Sequence, residues 1–340
     1  MMYIMLLGGL ALLLIGGEAL VRGSVSVARK LNISELVIGL TLVGFGTSMP
    51  ELVTSLQAMG QGSVGLALGN VIGSNISNSL LILGLAALVM PLSVHPRAVA
   101  RDGTVMIAAT FLLCALLWFD QFGRSTGVIL LGLLIVYLAF SLFTGARRND
   151  PAAQLHRAEG EMVQSRYGLG LGLLIAVAGV AGVVVGAHFL VTGAISVARS
   201  IGISETIIGL TIVAVGTSLP ELATSVIAAL RKRSDVAIGN IIGSSIFNIL
   251  GILGVTALVH PFSVRADMTA EALAGDQTVS IISSVDAGAL VLSAGLLMLF
   301  AVTGRRIARW EGAVLLLGYV LYMGLTFHLL PTLEIIPNGE

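Results

Sequence analysis

The chain has 340 residues, of which 56% are hydrophobic and only 11% are charged, with 18 basic and 18 acidic side chains. Soluble domains carry about 25% charged residues, so this composition indicates an integral membrane protein. The zero net charge argues against a nucleic-acid partner, and the single cysteine, Cys114, excludes an internal disulfide and a cysteine-based metal site.

Apolar runs follow one another along the whole chain, and each is long enough to cross a bilayer as a helix, which takes about 20 residues. We count ten of them, at 2–28, 34–60, 64–90, 99–119, 125–145, 168–198, 204–230, 235–259, 279–302 and 312–330. The predicted fold is therefore an all-α integral membrane protein with ten transmembrane helices. Its 42 glycines would let these helices approach one another closely.

The chain contains an internal repeat with an offset of 170 residues, in which Ile38-Gly39-Leu40-Thr41 recurs as Ile208-Gly209-Leu210-Thr211. Each half holds five spans, and an odd number of spans inverts the second copy in the membrane. We therefore predict one domain built from two inverted repeats and a charged cytoplasmic linker. The first repeat covers 1–146 with its repeated motif at 39–84, the linker covers 147–167, and the second repeat covers 168–340 with its motif at 209–254.

Basic residues are distributed unevenly between the predicted loops. If the N-terminus lies outside, fifteen of the 18 basic residues fall in inside loops, and only Arg124, Arg199 and Arg265 fall in outside loops. Because Lys and Arg are enriched in cytoplasmic loops, we predict that both termini face the extracytoplasmic side.

Each repeat carries one glutamate beside a proline within an apolar run. Gly46-Thr47-Ser48-Met49-Pro50-Glu51 in the first half corresponds to Gly216-Thr217-Ser218-Leu219-Pro220-Glu221 in the second. A carboxylate at the bilayer centre costs about 2.5–3.5 kcal/mol on insertion scales and often marks an ion pathway. Since inverted repeats bring broken helices together near the midplane, we expect Glu51 and Glu221 to share one cation site.

The two prolines are expected to interrupt their helices and to free backbone carbonyls as cation ligands. Proline has no N–H and its ring clashes with the preceding turn, so the carbonyls of residues 46 and 216 lose their helical partners. Such irregular backbone is tolerated at membrane depth where it lines a polar cavity. Ser48 and Ser218 add hydroxyls about one helical turn before each glutamate. Neighbouring carbonyls that are also candidates belong to Gly44, Thr47, Ala214 and Thr217.

The helix after each break supplies a second set of oxygen donors. Ser74 and Asn78 are four residues apart and share a helical face, as do Ser244 and Asn248. The repeated segments contain no His or Cys. An all-oxygen set of this kind suits hard cations such as Ca²⁺ and Na⁺.

Two asparagines, Asn70 and Asn240, lie one turn before these serines. They could be ligands, but we favour hydrogen bonds between helices. Small-residue pairs on the same helices would allow close packing against the broken helices. These pairs are Gly69 with Gly73 and Gly239 with Gly243.

Each of these features also has an ordinary structural explanation. A proline can simply kink a transmembrane helix, and Ser, Thr and Asn often bond only to neighbouring helices. A glutamate can belong to a structural ion pair, which is the explanation we favour for Glu18 because Arg22 follows four residues later. The glutamate, proline, serine and asparagine positions of the candidate site all recur in the second half at the same offset. Glu18 does not recur, because His188 occupies its position there.

The duplicated motifs Gly-Thr-Ser-x-Pro-Glu and Gly-Asn-x-Ile-Gly-Ser-x-Ile-x-Asn resemble the alpha repeats of the cation/calcium exchanger superfamily, especially its prokaryotic calcium/sodium antiporters. The resemblance covers nearly the whole chain. It implies an antiporter and not an enzyme, without a cofactor, that exchanges Ca²⁺ for Na⁺ by alternating access in a prokaryotic cytoplasmic membrane. It also implies that the first and sixth helices, 2–28 and 168–198, move together against the other eight.

The resemblance also assigns roles to individual residues. Glu51 and Glu221 would bind Ca²⁺ with help from the carbonyls of Thr47 and Thr217, and Asn78 and Asn248 would line the centre. The Na⁺ sites would be completed by the remaining donors, which are Ser48, Ser74, Ser218, Ser244 and the carbonyls of Gly44 and Ala214.

One position leaves the coupling ion open. Several sodium-coupled members have an aspartate where this chain has Asn248, and proton-coupled relatives often have asparagine at both central positions. A proton-coupled exchanger of Ca²⁺, or of another divalent cation such as Mn²⁺, therefore remains the alternative.

Two other protein classes are weaker alternatives. A cation channel usually needs several subunits or a continuous pore, whereas an inverted repeat is self-contained, so a monomer is sufficient and the oligomeric state stays open. An intramembrane enzyme would need a catalytic motif, and the repeated segments have no His-Glu metal motif or Ser/His dyad.

Overall fold

The computed structural model describes residues 2–31, 33, 35–60, 62, 64–146, 167–200, 216–264 and 284–334. The predicted linker lies outside these residues except for Tyr167, and so does the candidate ligand Ala214.

The first half is a series of helices with short interruptions. Two stretches of wider π-helix, π1 (Gly39–Val43) and π2 (Asn78–Ile82), continue directly from one α-helix into the next. The α-helices are α1 (Met2–Lys30), α2 (Glu35–Ile38), α3 (Gly44–Thr47), α4 (Met49–Gly60), α5 (Val64–Ser77), α6 (Leu83–Val89), α7 (Pro96–Phe119) and α8 (Arg124–Ala146).

The second half repeats this pattern where it is described. Its π-helical stretch, π3 (Phe247–Ile252), occupies the position that corresponds to π2. Its α-helices are α9 (Leu169–Ser200), α10 (Leu219–Leu230), α11 (Ser234–Ile246), α12 (Leu253–Val259), α13 (Ser284–Thr303) and α14 (Arg309–Glu334). Every predicted apolar run is helical over much of its described part.

Seven helices in the described part of the chain are long and apolar enough to cross a membrane. They cover Tyr3–Lys30, Val64–Val89, Val99–Phe119, Arg124–Phe143, Leu169–Gly193, Ser234–Val259 and Val285–Thr303, and Leu219–Leu230 is a shorter apolar helix. The helical membrane architecture is thus confirmed. The ten-span inverted topology with extracytoplasmic termini stays a prediction.

Burial separates central helices from peripheral ones. The apolar windows of Val64–Val89 and Ser234–Val259 are 78% and 89% buried inside the protein, whereas those of α1 and α9 are only 33% and 28% buried. The two central helices carry the predicted Ser and Asn donors. The site is therefore positioned by the most enclosed helices of the fold, while α1 and α9 lie at its edge.

The peripheral helices α1 and α9 pack directly against each other through glycine. A Cβ atom added to Gly16 would lie 2.7 Å from the Val183 nitrogen, and one added to Gly179 would lie 2.3 Å from the Leu20 nitrogen. Real side chains do not tolerate such distances, so only small residues let these backbones approach. The two helices that the resemblance singles out as a moving pair are in close contact with each other.

Two short backbone pairings join loops that are far apart in sequence. Strand β1 (Leu92–Ser93) pairs antiparallel with β2 (Arg306–Ile307), and Phe122 forms a single antiparallel bridge with Phe262. Phe262 corresponds to Leu92 at the offset of 170, and Ile307 corresponds to Phe122 at an offset of 185, which applies to the last helices of each half. The two pairings are therefore equivalent connections in the two halves.

Candidate cation site

Both helices that carry a glutamate are interrupted directly before the proline, as the sequence predicts. Helix α3 ends at Thr47, Ser48 has φ −86° and ψ 10°, and α4 begins at the next residue. Ser218 has nearly the same conformation, φ −89° and ψ 4°, before α10 begins at Leu219. The break is therefore repeated in the backbone as well as in the sequence.

The first break interrupts the ladder of backbone hydrogen bonds around the candidate carbonyls. The Ser48 amide donates to the Gly44 carbonyl at 3.1 Å, and the Leu52 amide donates to the Ser48 carbonyl at 3.2 Å. The Gly44 carbonyl therefore keeps its helical partner, in contrast to the expectation that the break frees it. Among the described residues, no backbone amide across the break donates to the carbonyls of residues 46 and 47. The carbonyl of residue 46 has no backbone partner because the residue four positions later is Pro50, which has no N–H. Both are available as cation ligands.

Glu221 is buried, with 1% of its surface exposed, and is held by residues of the other repeat. The Ser48 hydroxyl donates to Glu221 Oε1 at 2.7 Å. The hydroxyls of Thr47 and Ser244 also lie close enough to interact with this carboxyl group. Within the described part of the chain, Glu221 Oε2 accepts no hydrogen bond. One carboxylate oxygen is thus left for a ligand.

Glu51 is equally buried, at 1% exposure, and its Oε2 also has no hydrogen-bond partner among the residues described. The Ser218 hydroxyl lies near the Glu51 carboxyl but makes no hydrogen bond of normal geometry in the described structure. The two glutamates are close enough to interact electrostatically. Among the described residues neither carboxylate pairs with a cationic side chain. Negative charge on these buried groups would therefore be balanced by a bound cation or by a proton.

The two central asparagines have buried and unsatisfied amides. Asn78 and Asn248 are each 1% exposed, and neither the nitrogen nor the oxygen of either side chain has a hydrogen-bond partner in the described residues. They lie at the beginning of π2 and in the first turn of π3, and π-helical stretches inside α-helices are frequent at functional sites. A buried polar group without a partner costs about 1–3 kcal/mol, so these amides indicate a ligand position.

The predicted donors Gly44 and Ser244 meet across the two repeats. The Ser244 hydroxyl donates to the Gly44 carbonyl at 3.1 Å. Ser74, its counterpart in the first half, is also buried at 5% exposure, but the corresponding Ala214 lies outside the described residues. Thr217 is half-buried beside the second break. The structure therefore brings the donors around Glu221 together most completely.

Asn70 and Asn240 form the hydrogen bonds between helices that we favoured. Asn70 Nδ2 donates to the Glu51 carbonyl at 3.0 Å and to Ser55 Oγ at 2.9 Å. Asn240 Nδ2 donates to the Glu221 carbonyl at 3.3 Å and to Ser225 Oγ at 2.9 Å. The two networks are copies at the repeat offset.

The sequence reasoning missed two parts of these networks. One is the serine pair, although each serine follows a glutamate by four residues and lies on the same helical face. The other is a bond from the Thr47 hydroxyl to Asn240 Oδ1 at 3.2 Å, which crosses between the repeats. The spacing of the serines could have revealed the first, but no local spacing could have revealed the second.

The small residues of α11, Gly239 and Gly243, bring it close to a broken helix as predicted, and that helix belongs to the other repeat. No described atom lies within 4 Å of a Cβ added to Gly69 or Gly73, so close packing of that first pair stays a prediction. A Cβ atom added to Gly243 would lie 2.3 Å from the Leu40 carbonyl oxygen, and one added to Gly39 would lie 3.2 Å from the Asn240 nitrogen. This backbone-to-backbone contact sets the distance at which the donors of Gly44 and Ser244 meet.

Outside the site, Glu18 forms the predicted ion pair with Arg22. It also accepts a hydrogen bond at 2.7 Å from Arg231 Nε, at the end of α10. The pair therefore connects the peripheral helix α1 to the helix that carries Glu221, which the sequence did not predict.

Comparisons with known proteins agree with this architecture. The family model described as sodium/calcium exchanger protein matches residues 1–143 and 171–328. The sodium/calcium exchanger MaX1 of Methanosarcina acetivorans is 35% identical over 366 residues, covering 96% of this chain and 99% of MaX1. The inner membrane protein YrbG of Escherichia coli is 38% identical over 266 residues, covering 76% of this chain and 79% of YrbG.

The fold is also similar to solved structures. A structure of the sodium-calcium exchanger NCX_Mj aligns with a TM-score of 0.78 and 33% sequence identity, covering 95% of this chain and 99% of that one. The match of the family model over both halves, the full-length relatives and the shared fold lead to one conclusion: this chain belongs to the sodium/calcium exchanger protein family of membrane antiporters.

Proposed function

We propose that this protein exchanges Ca²⁺ for Na⁺ by alternating access at one midplane site that contains Glu51 and Glu221. The observation that carries the proposal is the meeting of two buried carboxylates from the two repeats, each with an oxygen that accepts no hydrogen bond among the described residues. The Ser48 bond to Glu221 supports a site shared by both halves.

The donor set suits Ca²⁺ in both charge and chemistry. Ca²⁺ takes roughly six to eight oxygen ligands, and the two carboxylates would neutralise its charge. The carbonyls of residues 46 and 47 and the amide oxygens of Asn78 and Asn248 are further oxygen donors within the same enclosed region. Na⁺ would use the serine hydroxyls and the Gly44 and Ala214 carbonyls together with the same carboxylates.

Shared carboxylates would couple the two ions. An empty site would carry two buried negative charges, and burying unpaired charge is strongly unfavourable. The protein would therefore change state only when loaded with Ca²⁺ or with monovalent cations, which exclude each other. The close glycine-mediated contact between α1 and α9 supports their movement as a pair against the central helices.

The relatives support sodium as the coupling ion and a membrane location. MaX1 is named a sodium/calcium exchanger, and NCX_Mj was solved after soaking with Na⁺ and Ca²⁺ and with Na⁺ and Sr²⁺. YrbG is named an inner membrane protein. We propose the same type of membrane here, the prokaryotic cytoplasmic membrane, where an inward Na⁺ gradient would drive Ca²⁺ out of the cell.

A proton-coupled exchanger of Ca²⁺ or another divalent cation such as Mn²⁺ is the second candidate, and a specific observation favours it. Both central positions carry neutral amides, Asn78 and Asn248, so Glu51 and Glu221 are the two carboxylates assigned to the site. Each could take up a proton in place of Na⁺.

Transport by the purified protein in liposomes distinguishes the two candidates. Vesicles loaded with Na⁺ are diluted into Na⁺-free buffer with ⁴⁵Ca²⁺, and parallel vesicles carry only a pH gradient. We expect uptake with the Na⁺ gradient and none with the pH gradient alone. Uptake driven only by the pH gradient would select the proton-coupled candidate, and uptake in neither case would reject both.

Variants test the site in the same assay. Glu51→Gln and Glu221→Gln should each abolish uptake. Glu311→Gln is the matched control, because Glu311 is also buried, at 6% exposure, and its carboxylate accepts a hydrogen bond from the Ala308 amide at 2.6 Å, away from the site. Undiminished uptake by either site variant would exclude a shared two-glutamate site.

A further inference from the structure

We propose that Asn240 is a positioning residue that fixes the Thr47 segment of the first repeat relative to Glu221 of the second. Its effect on transport rests on the proposed function. Its effect on cation binding does not require transport at all.

The side chain of Asn240 uses both ends of its amide. Nδ2 donates to the Glu221 carbonyl at 3.3 Å and to Ser225 Oγ at 2.9 Å. Oδ1 lies 3.2 Å from the Thr47 hydroxyl and accepts from it. The single proton of this hydroxyl is shared with the carbonyls of Val43 and Gly44 in its own helix, at 3.1 and 3.3 Å. The residue is fully buried, at 0% exposure. A carbonyl can only accept a hydrogen bond, so the Glu221 carbonyl fixes which way the amide is turned, and this leaves Oδ1 facing Thr47.

Thr47 needs such support because it lies at a broken helix end. Helix α3 ends at this residue, and its carbonyl receives no backbone hydrogen bond across the break in the described structure. The next residue, Ser48, is tied to the carboxylate of Glu221. Thr47 and Ser48 are thus held by two adjacent bonds to the second repeat, one through Asn240 and one through Glu221.

The backbone around Asn240 makes it a rigid support. Its neighbour Gly239 lies against Gly39. A Cβ atom added to Gly39 would be 3.2 Å from the Gly239 Cα. One turn later, Gly243 lies against Leu40. The helix that carries Asn240 is therefore packed closely against the first repeat both before and after this residue. It cannot shift away from the first repeat without losing these contacts.

The variant Thr47→Val distinguishes two roles of Thr47. One is a cation ligand through the backbone carbonyl, and the other is a positioning contact through the hydroxyl. This substitution keeps the carbonyl and removes only the hydroxyl, whose other neighbours are the carbonyls of Val43 and Gly44 and the Glu221 carboxyl. The double variant described below separates the contact with Asn240 from these other contacts. If Asn240 positions this segment, Thr47→Val and Asn240→Ala should each raise the apparent KM for Ca²⁺ about three- to tenfold, the range expected for one hydrogen bond. The maximal rate should change less, because the carboxylates remain.

The double variant tests whether the two residues act through one bond. Thr47→Val with Asn240→Ala should raise the KM no further than Asn240→Ala alone, since residues in one network are not additive. The matched control is Thr110→Val, which removes a buried hydroxyl that donates to the Met106 carbonyl of its own helix at 2.9 Å. This control should keep the wild-type KM.

Calcium binding gives a readout that does not depend on exchange. The rise in melting temperature of the detergent-solubilised protein on adding Ca²⁺ alone should require higher Ca²⁺ concentrations in Thr47→Val and Asn240→Ala than in wild type and Thr110→Val. Thr47→Val removes little volume, so it keeps the test valid if Asn240→Ala does not fold.

The outcomes separate this inference from the proposed function. If wild type exchanges Ca²⁺ but Thr47→Val keeps both the wild-type KM and the wild-type Ca²⁺ response, the positioning role is wrong and the function stands. If wild type does not exchange Ca²⁺ at all, the function is wrong, and the melting experiment still decides the role of Asn240.

Discussion

The Ser48 hydroxyl donates a 2.7 Å hydrogen bond to Glu221 across 173 residues of sequence, from one repeat to the other. The equivalent pair, Ser218 and Glu51, lies close together without a hydrogen bond of normal geometry in the described structure. Two halves that share a motif therefore differ at the candidate site. Such a difference is expected when an inverted repeat occupies one of two alternating states.

Replacing Ser48 should weaken cation binding. In Ser48→Ala the charged Glu221 loses a hydrogen bond, and bonds to charged groups contribute about 1.5–3 kcal/mol. We expect the apparent affinity for Na⁺ or Ca²⁺ to fall about tenfold or more. Concentration dependence of ⁴⁵Ca²⁺ uptake measures this. Ser263→Ala, which changes a serine in a loop outside the site, is the control, and equal affinities in wild type and Ser48→Ala would contradict the prediction.

The number of carboxylates predicts how exchange responds to membrane potential. With only Glu51 and Glu221 charged, replacing one Ca²⁺ by two Na⁺ leaves the charge of the loaded site unchanged. Exchange should then be insensitive to a potassium diffusion potential set with valinomycin. Asn248→Asp adds a third carboxylate and should make uptake depend on the potential. A clear potential dependence of the wild type would contradict this prediction and show that the number of monovalent cations exchanged for each Ca²⁺ is not two.

The close contact at Gly243 predicts a large effect of one methyl group. In Gly243→Ala the new Cβ would lie 2.3 Å from the Leu40 carbonyl oxygen, so the helices must separate. Overpacking of this kind costs about 1–3 kcal/mol, and we expect a lower melting temperature in detergent together with weaker Ca²⁺ binding. Gly132→Ala is the control, since no described atom lies within 4 Å of an added Cβ there. Equal melting temperatures for the two variants would contradict the packing we describe.

The Glu18–Arg231 pair joins the first repeat to the second and has no symmetric counterpart. At the repeat offset its counterparts are His188 and Gln61, which cannot form a carboxylate–guanidinium pair. Because this bond between α1 and α10 has no symmetric counterpart, it should favour one of the two states of the proposed exchange cycle. We expect Arg231→Gln to change the maximal exchange rate. Glu18→Gln also removes the pair with Arg22, so the double variant should add nothing beyond Glu18→Gln alone.

This ion pair should have a small effect because it is partly exposed. The side chain of Arg231 is 53% exposed and that of Glu18 is 23% exposed, and pairs at exposed positions contribute about 0–1 kcal/mol. Changes of a few-fold in rate, with an unchanged Ca²⁺ KM, fit this account. A changed KM instead would show that the pair acts on the site itself.

Local sequence patterns predicted the elements of this fold well. Hydrophobicity predicted the described helices closely, because a lipid environment leaves a long apolar run few other conformations. The proline rule predicted both helix breaks, at Ser48 and Ser218, since a missing N–H acts on the chain locally. The repeat also predicted that Glu51 and Glu221 approach each other.

Contacts between the repeats were less predictable. The bond from Thr47 to Asn240 joins residues 193 positions apart, and it depends on the distance and rotation of two packed helices. The hydrogen bond from Arg231 to Glu18 depends on helix packing in the same way. A motif shows which residue types are present, but the partner of a long side chain is decided by packing that no spacing along one helix contains.

The central claim is that one Ca²⁺ and the competing monovalent cations share a site made by both glutamates. Isothermal titration of the detergent-purified protein with Ca²⁺, in the absence and presence of Na⁺, tests it most directly. The account predicts one Ca²⁺ per chain, displacement by Na⁺, and loss of binding in Glu51→Gln and in Glu221→Gln but not in Glu311→Gln. Two Ca²⁺ per chain, or Ca²⁺ binding that persists in either site variant, would contradict it.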